Sequence, residues 1–252
     1  MKFDDLDKKM RVYERSIDQI IAPEIYLVAR LDGRNFTRLT KEVCQFEAPF
    51  DVRFRDMMVN TVEHLMDCGF RVIYGFTESD EISLLFHKDE ETFGRKVRKY
   101  NSVLSGEASA VLSLQMGLPA VLDCRLIPLP NPQRVQDYFL WRQEDACRNA
   151  LNAHCYWALR KEGADVQAAT AQVAGKSISD KNELLFSRGI NFDKLPNWQK
   201  RGVGVHWRNV AKTGVNPITN EEVTTYRKGL QVEYDLPRGQ EYAQFIAALL
   251  EE

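Results

Sequence analysis

The sequence predicts an α+β fold, a split βαβ core followed by a helical and β extension, and three observations lead there. Over residues 25–127 the apolar periodicity runs strand, helix, strand, strand, helix, strand, the order of the split βαβ or ferredoxin-like arrangement. At Asn131-Pro132 the pattern changes to a capping residue, a proline and then a long aromatic helix. A chain of 252 residues, 44% apolar, can also bury one large core or two small ones. Residues 1–130 are therefore expected to form a core with an N-terminal helix. Residues 131–252 are expected to pack on it as one structural unit.

Taken in order, residues 4–21 place Leu6, Met10, Tyr13, Ile17, Ile20 and Ile21 at helical spacing, an amphipathic helix closed by Pro23. The apolar run 25–28 opens a buried strand that ends at Asp32. After a polar loop with Cys44 and Phe46, a second helix turns Phe54, Met57, Met58, Val62, Leu65 and Met66 inward, with Asp51 as N-cap and Gly69 just past its end. Residues 71–74 and 82–86 read as hairpin strands around Ser79-Asp80-Glu81. A helix spans 90–116, stopped by Gly117 and Pro119, and a fourth strand spans 120–127. The extension begins with a helix to residue 160. It continues with helices at 165–174 and 180–186, β-prone pieces at 202–207 and 222–226, and a last helix at 242–250. No internal repeat or low-complexity tract interrupts it.

In the split βαβ order the first and third strands are antiparallel neighbours at the sheet's centre. Asp32, at the end of the first, then falls beside Asp80 and Glu81, at the start of the third. Three carboxylates so close raise one another's pKa unless cations lie between them. Hard divalent ions such as Mg²⁺ suit oxygen donors. Alone, an Asp-Gly is a turn and an Asp-Glu at a hairpin is a solvated pair. Combined, and followed one helix on by Arg95, Lys96, Arg98 and Lys99, they match two metals about 4 Å apart clamping a triphosphate.

Other signals point elsewhere and fail. Gly175-Lys176-Ser177 ends like a phosphate-binding loop, but Thr170 stands where that loop needs glycine. His64, His87, His154 and His206 lack zinc-ligand spacing. The strand at 82–86 offers only Phe86 where an RNA-recognition module stacks several aromatics. A formal charge of −2 (34 basic against 36 acidic side chains) argues against blanket coating of nucleic acid, though not against a local basic patch. No apolar run suggests a membrane span, no secretory signal opens the chain, and the five cysteines are scattered. A cytoplasmic protein is expected.

Arg30-Leu31-Asp32-Gly33-Arg34-Asn35-Phe36, Pro49-Phe50-Asp51, Tyr74-Gly75, Ser79-Asp80-Glu81, Trp141-Arg142-Gln143 and Asp180-Lys181-Asn182-Glu183-Leu184-Leu185-Phe186 together resemble the tRNA(His) guanylyltransferase family. That family is similar in its palm domain to ordinary polymerases, yet adds nucleotides to RNA 3′-to-5′. The resemblance implies that Asp32 and Asp80 ligate two Mg²⁺ ions, with the Gly33 carbonyl as a further ligand and Glu81 assisting catalysis. It implies that Gly33, Arg34, Asn35, Phe36 and Thr37, with Ser79, hold a nucleoside triphosphate. Arg30, Asp51, Arg95, Lys96 and Lys99 are the candidates for a second triphosphate or the RNA 5′ phosphate. The implied partners are tRNA, with ATP and GTP or other nucleoside triphosphates as substrates, and further copies of the chain in a homo-oligomer, a tetramer by resemblance.

The chain also departs from the eukaryotic pattern. Residues 147–153, Cys-Arg-Asn-Ala-Leu-Asn-Ala, replace His-Ile-Asn-Asn-Leu-Tyr-Asn. Cys44 and Ala48 replace a histidine and a basic residue, and Phe76-Thr77-Glu78 adds length before Ser79. These departures favour the bacterial and archaeal branch, which repairs truncated tRNA 5′ ends against a template after ATP activates a 5′-monophosphate. The alternatives are addition of the extra guanylate to tRNA(His), a non-catalytic RNA-binding protein, and a palm-type nucleotide cyclase. The RNA binder leaves the clustered acids without a purpose, and the cyclase does the same for the basic, aromatic C-terminal half.

Overall fold

The computed structural model describes residues 2–215 and 222–251. Six strands, β1 (Tyr26–Gly33), β2 (Val72–Glu78), β3 (Glu81–Phe86), β4 (Leu122–Leu129), β5 (Val203–Val215) and β6 (Glu222–Glu233), form one sheet. Their order is β4-β1-β3-β2-β5-β6, and every neighbouring pair is antiparallel. β1 and β3 are adjacent, as the order of periodicities predicts.

Because strand side chains alternate between faces, the sheet has two apolar sides and needs two covers. Leu27, Ala29 and Leu31 of β1, with Ile82, Leu84 and Phe86 of β3, pack against the helices Val52–Met66 (α3) and Val97–Met116 (α4). Val28, Tyr74, Phe76 and Leu85 point the other way. They pack on Val135, Tyr138 and Phe139 of the 30-residue helix Pro132–Lys161 (α5) and on Tyr242 and Ile246 of the last helix, Gln240–Leu249 (α9). A third cluster joins the second half of α5 to Ala169 and Val173 of Val166–Val173 (α6) and Leu185 of Ile178–Phe186 (α7). The short helix Asn197–Arg201 (α8) leads into β5.

Local chemistry explains the element ends. Asp51 caps α3 by accepting from the Arg53 N–H at 2.8 Å, and Asn131 caps α5 by accepting from the Arg134 N–H at 3.0 Å, ahead of Pro132. Ser177 and Asp180 form a capping box at the start of α7, so Gly175-Lys176-Ser177 is a helix junction.

Several elements differ from expectation. The first helix, Phe3–Glu14 (α1), stops well before residue 21 and buries none of its residues. Within the expected loop after Asp32 lies a short helix, Phe36–Arg38 (α2), which runs into a wide turn at Leu39–Val43. The expected start of α4 is instead a break, with Phe93, Gly94 and Arg95 at φ of 53°, 60° and 55°. The Arg95 guanidinium is drawn inward there onto the carbonyls of Ile21, Glu90 and Ile25. The hairpin strands are longer than read. β2 continues to Glu78, paired with β3 to the turn, and Gly75 lets Val62 of α3 press against it; a Cβ there would lie 2.3 Å from Val62 Cγ1. β5 and β6 run on as a two-stranded ribbon past Val203 to His206, where β5 pairs with β2. Among the described residues no helix is long and apolar enough to cross a membrane.

Candidate functional site

Asp32, next to last in β1, lies directly opposite Glu81, the first residue of β3, and opposite Asp123 of β4 on its other side. Ser79 and Asp80 form the two-residue turn between β2 and β3, with Ser79 at φ 53°. A Cβ at position 33 would lie 2.8 Å from Asp80 Oδ2 and 2.4 Å from the Phe36 ring. Glycine is therefore required where the Asp80 carboxylate hangs over the β1 backbone. Burial pushes the Asp80 carboxyl up to about 6, with the charges of Asp32 and Glu81 adding to the rise and the Ser79 hydroxyl, 3.1 Å away, opposing it. Glu78, paired with Glu81 across the turn, is pushed up to about 8 by burial and then by Glu81 and Asp80. A protonated carboxyl there relieves the crowding until a cation does.

The expected convergence of three carboxylates needs correcting. Asp32 and Asp80 meet, but Glu81 is taken by two guanidiniums. Arg30 bonds its Oε2, and Arg142 Nη2 lies 3.0 Å from its Oε1. Among the described residues no three His, Cys, Asp or Glu side chains are grouped to hold a cation. What remains is two carboxylates beside Gly33. That set fits Mg²⁺, which takes one or two carboxylates and fills its other positions with water and phosphate oxygens.

Beside this edge opens a cleft of about 1140 Å³. Phe36, Thr37, Ser79, Asp80 and Glu81 line one wall. Asn149, Asn152, Tyr156, Trp157 and Arg160, one face of α5, line the other. Two polar atoms on this face of the helix, Asn152 Oδ1 and Arg160 Nε, are buried without a partner. Lys41, Arg55 and Lys181 add positive charge to the lining. Lys41 donates to the Glu47 and Pro49 carbonyls at 2.9 Å, and burial lowers its pKa.

The predicted site residues separate into those at the edge and those away from it. Gly33, Thr37 and Ser79 lie at the edge, and Asn35 starts α2 at φ 61°. Arg34 is exposed, with its N–H on the Val121 carbonyl, and Phe36 is a core ring packed on Phe54. Three candidates for phosphate contact are engaged by the protein itself, although Asp51 also lines the cleft. Arg30 is spent on Glu81, Arg95 is buried on backbone carbonyls, and Asp51 is a buried acid that caps α3 and pairs with Arg53. The Arg53 guanidinium, with the N–H groups of Glu47 and Arg53, holds Asp51 well below the usual carboxylate range. Lys96 pairs with Asp18 at 3.5 Å, and Lys99 lies over the Phe93 ring. Both sit where Arg95 reaches Ile25, the start of β1, about 23 Å along the strand from Asp32. Sequence reasoning missed Lys41, Arg55 and Arg160 and the part Arg142 plays. The one available signal was the polar stripe at Asn149, Asn152, Tyr156 and Arg160, at three- and four-residue spacing on an otherwise packed helix.

Known proteins resemble this chain in sequence and in fold. Residues 7–130 match the family model for tRNAHis guanylyltransferase, and residues 133–238 match that for the Thg1 C terminal domain. The tRNA(His) guanylyltransferase of Neurospora crassa is 32% identical over 218 residues, covering 80% of this chain and 73% of the relative. That of Schizosaccharomyces pombe is 29% identical, covering 77% of each. A bacterial tRNA(His) guanylyltransferase-like protein solved in complex with GTP superposes with a TM-score of 0.77 at 23% identity, over 98% of this chain and 100% of that one. The Saccharomyces cerevisiae enzyme does so at 0.70 and 24%, over 85% and 95%. These two likenesses speak for the fold.

Proposed function

The chain belongs to the tRNA(His) guanylyltransferase family of nucleotidyltransferases, and from that premise we propose that it adds nucleotides 3′-to-5′ to the 5′ end of tRNA, repairing truncated ends against a template. The observation that carries the proposal is the meeting of Asp32 and Asp80 at one sheet edge, beside a cleft lined by amide, aromatic and basic side chains. The strand order β4-β1-β3-β2, with α3 and α4 on one face, supports reading the core as a polymerase-like palm of the split βαβ kind.

Two phosphoryl transfers make up the reaction. First, an oxygen of the RNA 5′-monophosphate attacks the α-phosphorus of ATP and pyrophosphate leaves. Then the 3′-hydroxyl of an incoming nucleoside triphosphate attacks the activated 5′ phosphorus. Its proton is lost to solvent and AMP departs. Such transfers need positioning and charge neutralisation more than a protein nucleophile. The backbone from Gly33 to Thr37 and the Ser79 hydroxyl would hold the triphosphate, with Lys41, Arg55, Arg160 and Lys181 facing charge along the cleft. Two Mg²⁺ bound by Asp32, Asp80 and the Gly33 carbonyl would neutralise the phosphates and acidify the attacking hydroxyl. Relatives solved with GTP and with ATP support both nucleotides as substrates. We also infer a cytoplasmic homo-oligomer of tetramer size, which light scattering would measure.

Repair is favoured over guanylate addition because the α5 face at Asn149, Asn152 and Ala153 offers small and amide groups, not the histidine-led motif of the eukaryotic enzymes. Single-turnover assays would compare a 5′-truncated tRNA other than tRNA(His), with ATP and all four nucleotides, against intact tRNA(His). Repair is expected to be at least as fast. A tenfold preference for intact tRNA(His), about 1.4 kcal/mol, would instead establish guanylate addition.

A further inference from the structure

Glu81 stands opposite Asp32 in the β1–β3 ladder, where cross-strand side chains are close enough to share one cation. Its carboxylate is nevertheless engaged on both oxygens. Arg30, two residues before Asp32 on the same face, bonds Oε2. Arg142 Nη2 lies 3.0 Å from Oε1 and 3.4 Å from Oε2. The Arg142 side chain is 3% exposed, so it is desolvated, and a buried guanidinium persists only where carboxylates compensate it. Its second carboxylate is Asp145 at 2.8 Å, one helical turn along α5. Asp145 in turn accepts from Arg148 and, at 3.3 Å, from the amide of Asn149, which lines the cleft. An alternating chain of charges thus runs from Arg30 through Glu81, Arg142 and Asp145 to the cleft wall.

We propose that Arg142 is a positioning residue which, together with Arg30, keeps the Glu81 carboxylate out of the cation site at Asp32 and Asp80, leaving coordination positions there for substrate phosphate. The proposal rests on reading Asp32 and Asp80 as that cation site. Two cation-binding carboxylates leave room for phosphate oxygens, whereas a third would take one or two of those positions and add charge that repels the triphosphate. The clamp also makes α5, the helix that covers this face of the sheet, responsible for the coordination number at the edge.

Tb³⁺ bound to the full-length protein without nucleotide provides a test, because its emission lifetimes in H₂O and D₂O count the water molecules on the ion. Asp32→Asn and Asp80→Asn should abolish binding or raise the water count. If neither does, the cation-site reading itself fails, separately from the clamp. Glu81→Gln should leave the count at the wild-type value, and a rise of one or more would mean that Glu81 is already a ligand and overturn the proposal. Arg142→Gln should lower the count by one or two as Glu81 swings onto the ion, and adding Glu81→Gln should restore it. An unchanged count in well-folded Arg142→Gln, or a lowered count that survives Glu81→Gln, would also overturn it. Arg142→Lys, which keeps a cation beside Glu81, should return the count toward wild type. If Arg142→Gln does not fold, Arg30→Gln tests the other half of the clamp by the same measurement, with the same outcomes deciding.

Discussion

At the sheet edge Asp80 and Glu78 link proton binding to folding. Their carboxyls sit at about 6 and about 8 in the folded chain, above their ordinary values, so the folded state holds protons that the unfolded chain has released. Stability from these groups is full below about pH 4 and is lost as pH rises through about 6 and then about 8. The melting temperature measured without divalent cations should therefore fall between about pH 5 and about pH 9, and added Mg²⁺ should flatten that fall by taking the protons' place. The same residues carry the activity prediction. Asp32→Ala or Asp80→Ala should abolish nucleotide addition and leave the circular dichroism spectrum intact, since each removes a charge crowded by like charges. Loss of a metal ligand costs several kcal/mol of transition-state stabilisation. More than about a tenth of wild-type turnover retained at saturating Mg²⁺ would refute the assignment. The meeting of Asp32 and Asp80 was legible in the sequence because strand order and the position of the hairpin turn determine it. The capture of Glu81 was not, because Arg142 lies 61 positions away on a helix whose docking face no local pattern specifies.

At the scale of elements, helix direction decides which cations serve the site. α4 and β4 run so that the C-terminal end of α4 lies near Asp32, where Ser109 and Ser113 bond the backbone at Leu122 and Ala120. The basic run at its other end is carried away from the carboxylates. The sequence places Arg95, Lys96 and Lys99 one helix beyond the acids but does not say at which end, and the break at residues 93–95 came from buried hydrogen bonds that periodicity does not reveal. Lys99→Glu is accordingly expected to change the rate of ATP-dependent activation by less than about twofold, as a surface charge should. Arg160→Glu, in the cleft wall, should slow it by at least about tenfold, the scale of one lost charge-assisted contact. Single-turnover rates for a 5′-monophosphorylated RNA compare the two directly. Equal effects would return the basic run to the site.

At the scale of the whole molecule, two segments matched by separate family models share one interior. Among the described residues the second face of the sheet is covered by α5, α9 and Leu236, so residues 1–130 alone would leave Val28, Tyr74, Phe76 and Leu85 against water. α5, about 45 Å long, presses its first half on the sheet, and its second half anchors α6 and α7. That helix sets a rule for grafting parts between relatives. A chimera joined at residue 131 would mate a foreign α5 to this sheet and to this Glu81. A junction at Gly163, past the end of α5 and at a φ of 97°, would keep the helix with the strands it was shaped against. The later junction should give soluble protein with a single cooperative melt, and the earlier one a lower melting temperature or none. The seam between interchangeable parts thus lies one helix later than the boundary in the sequence.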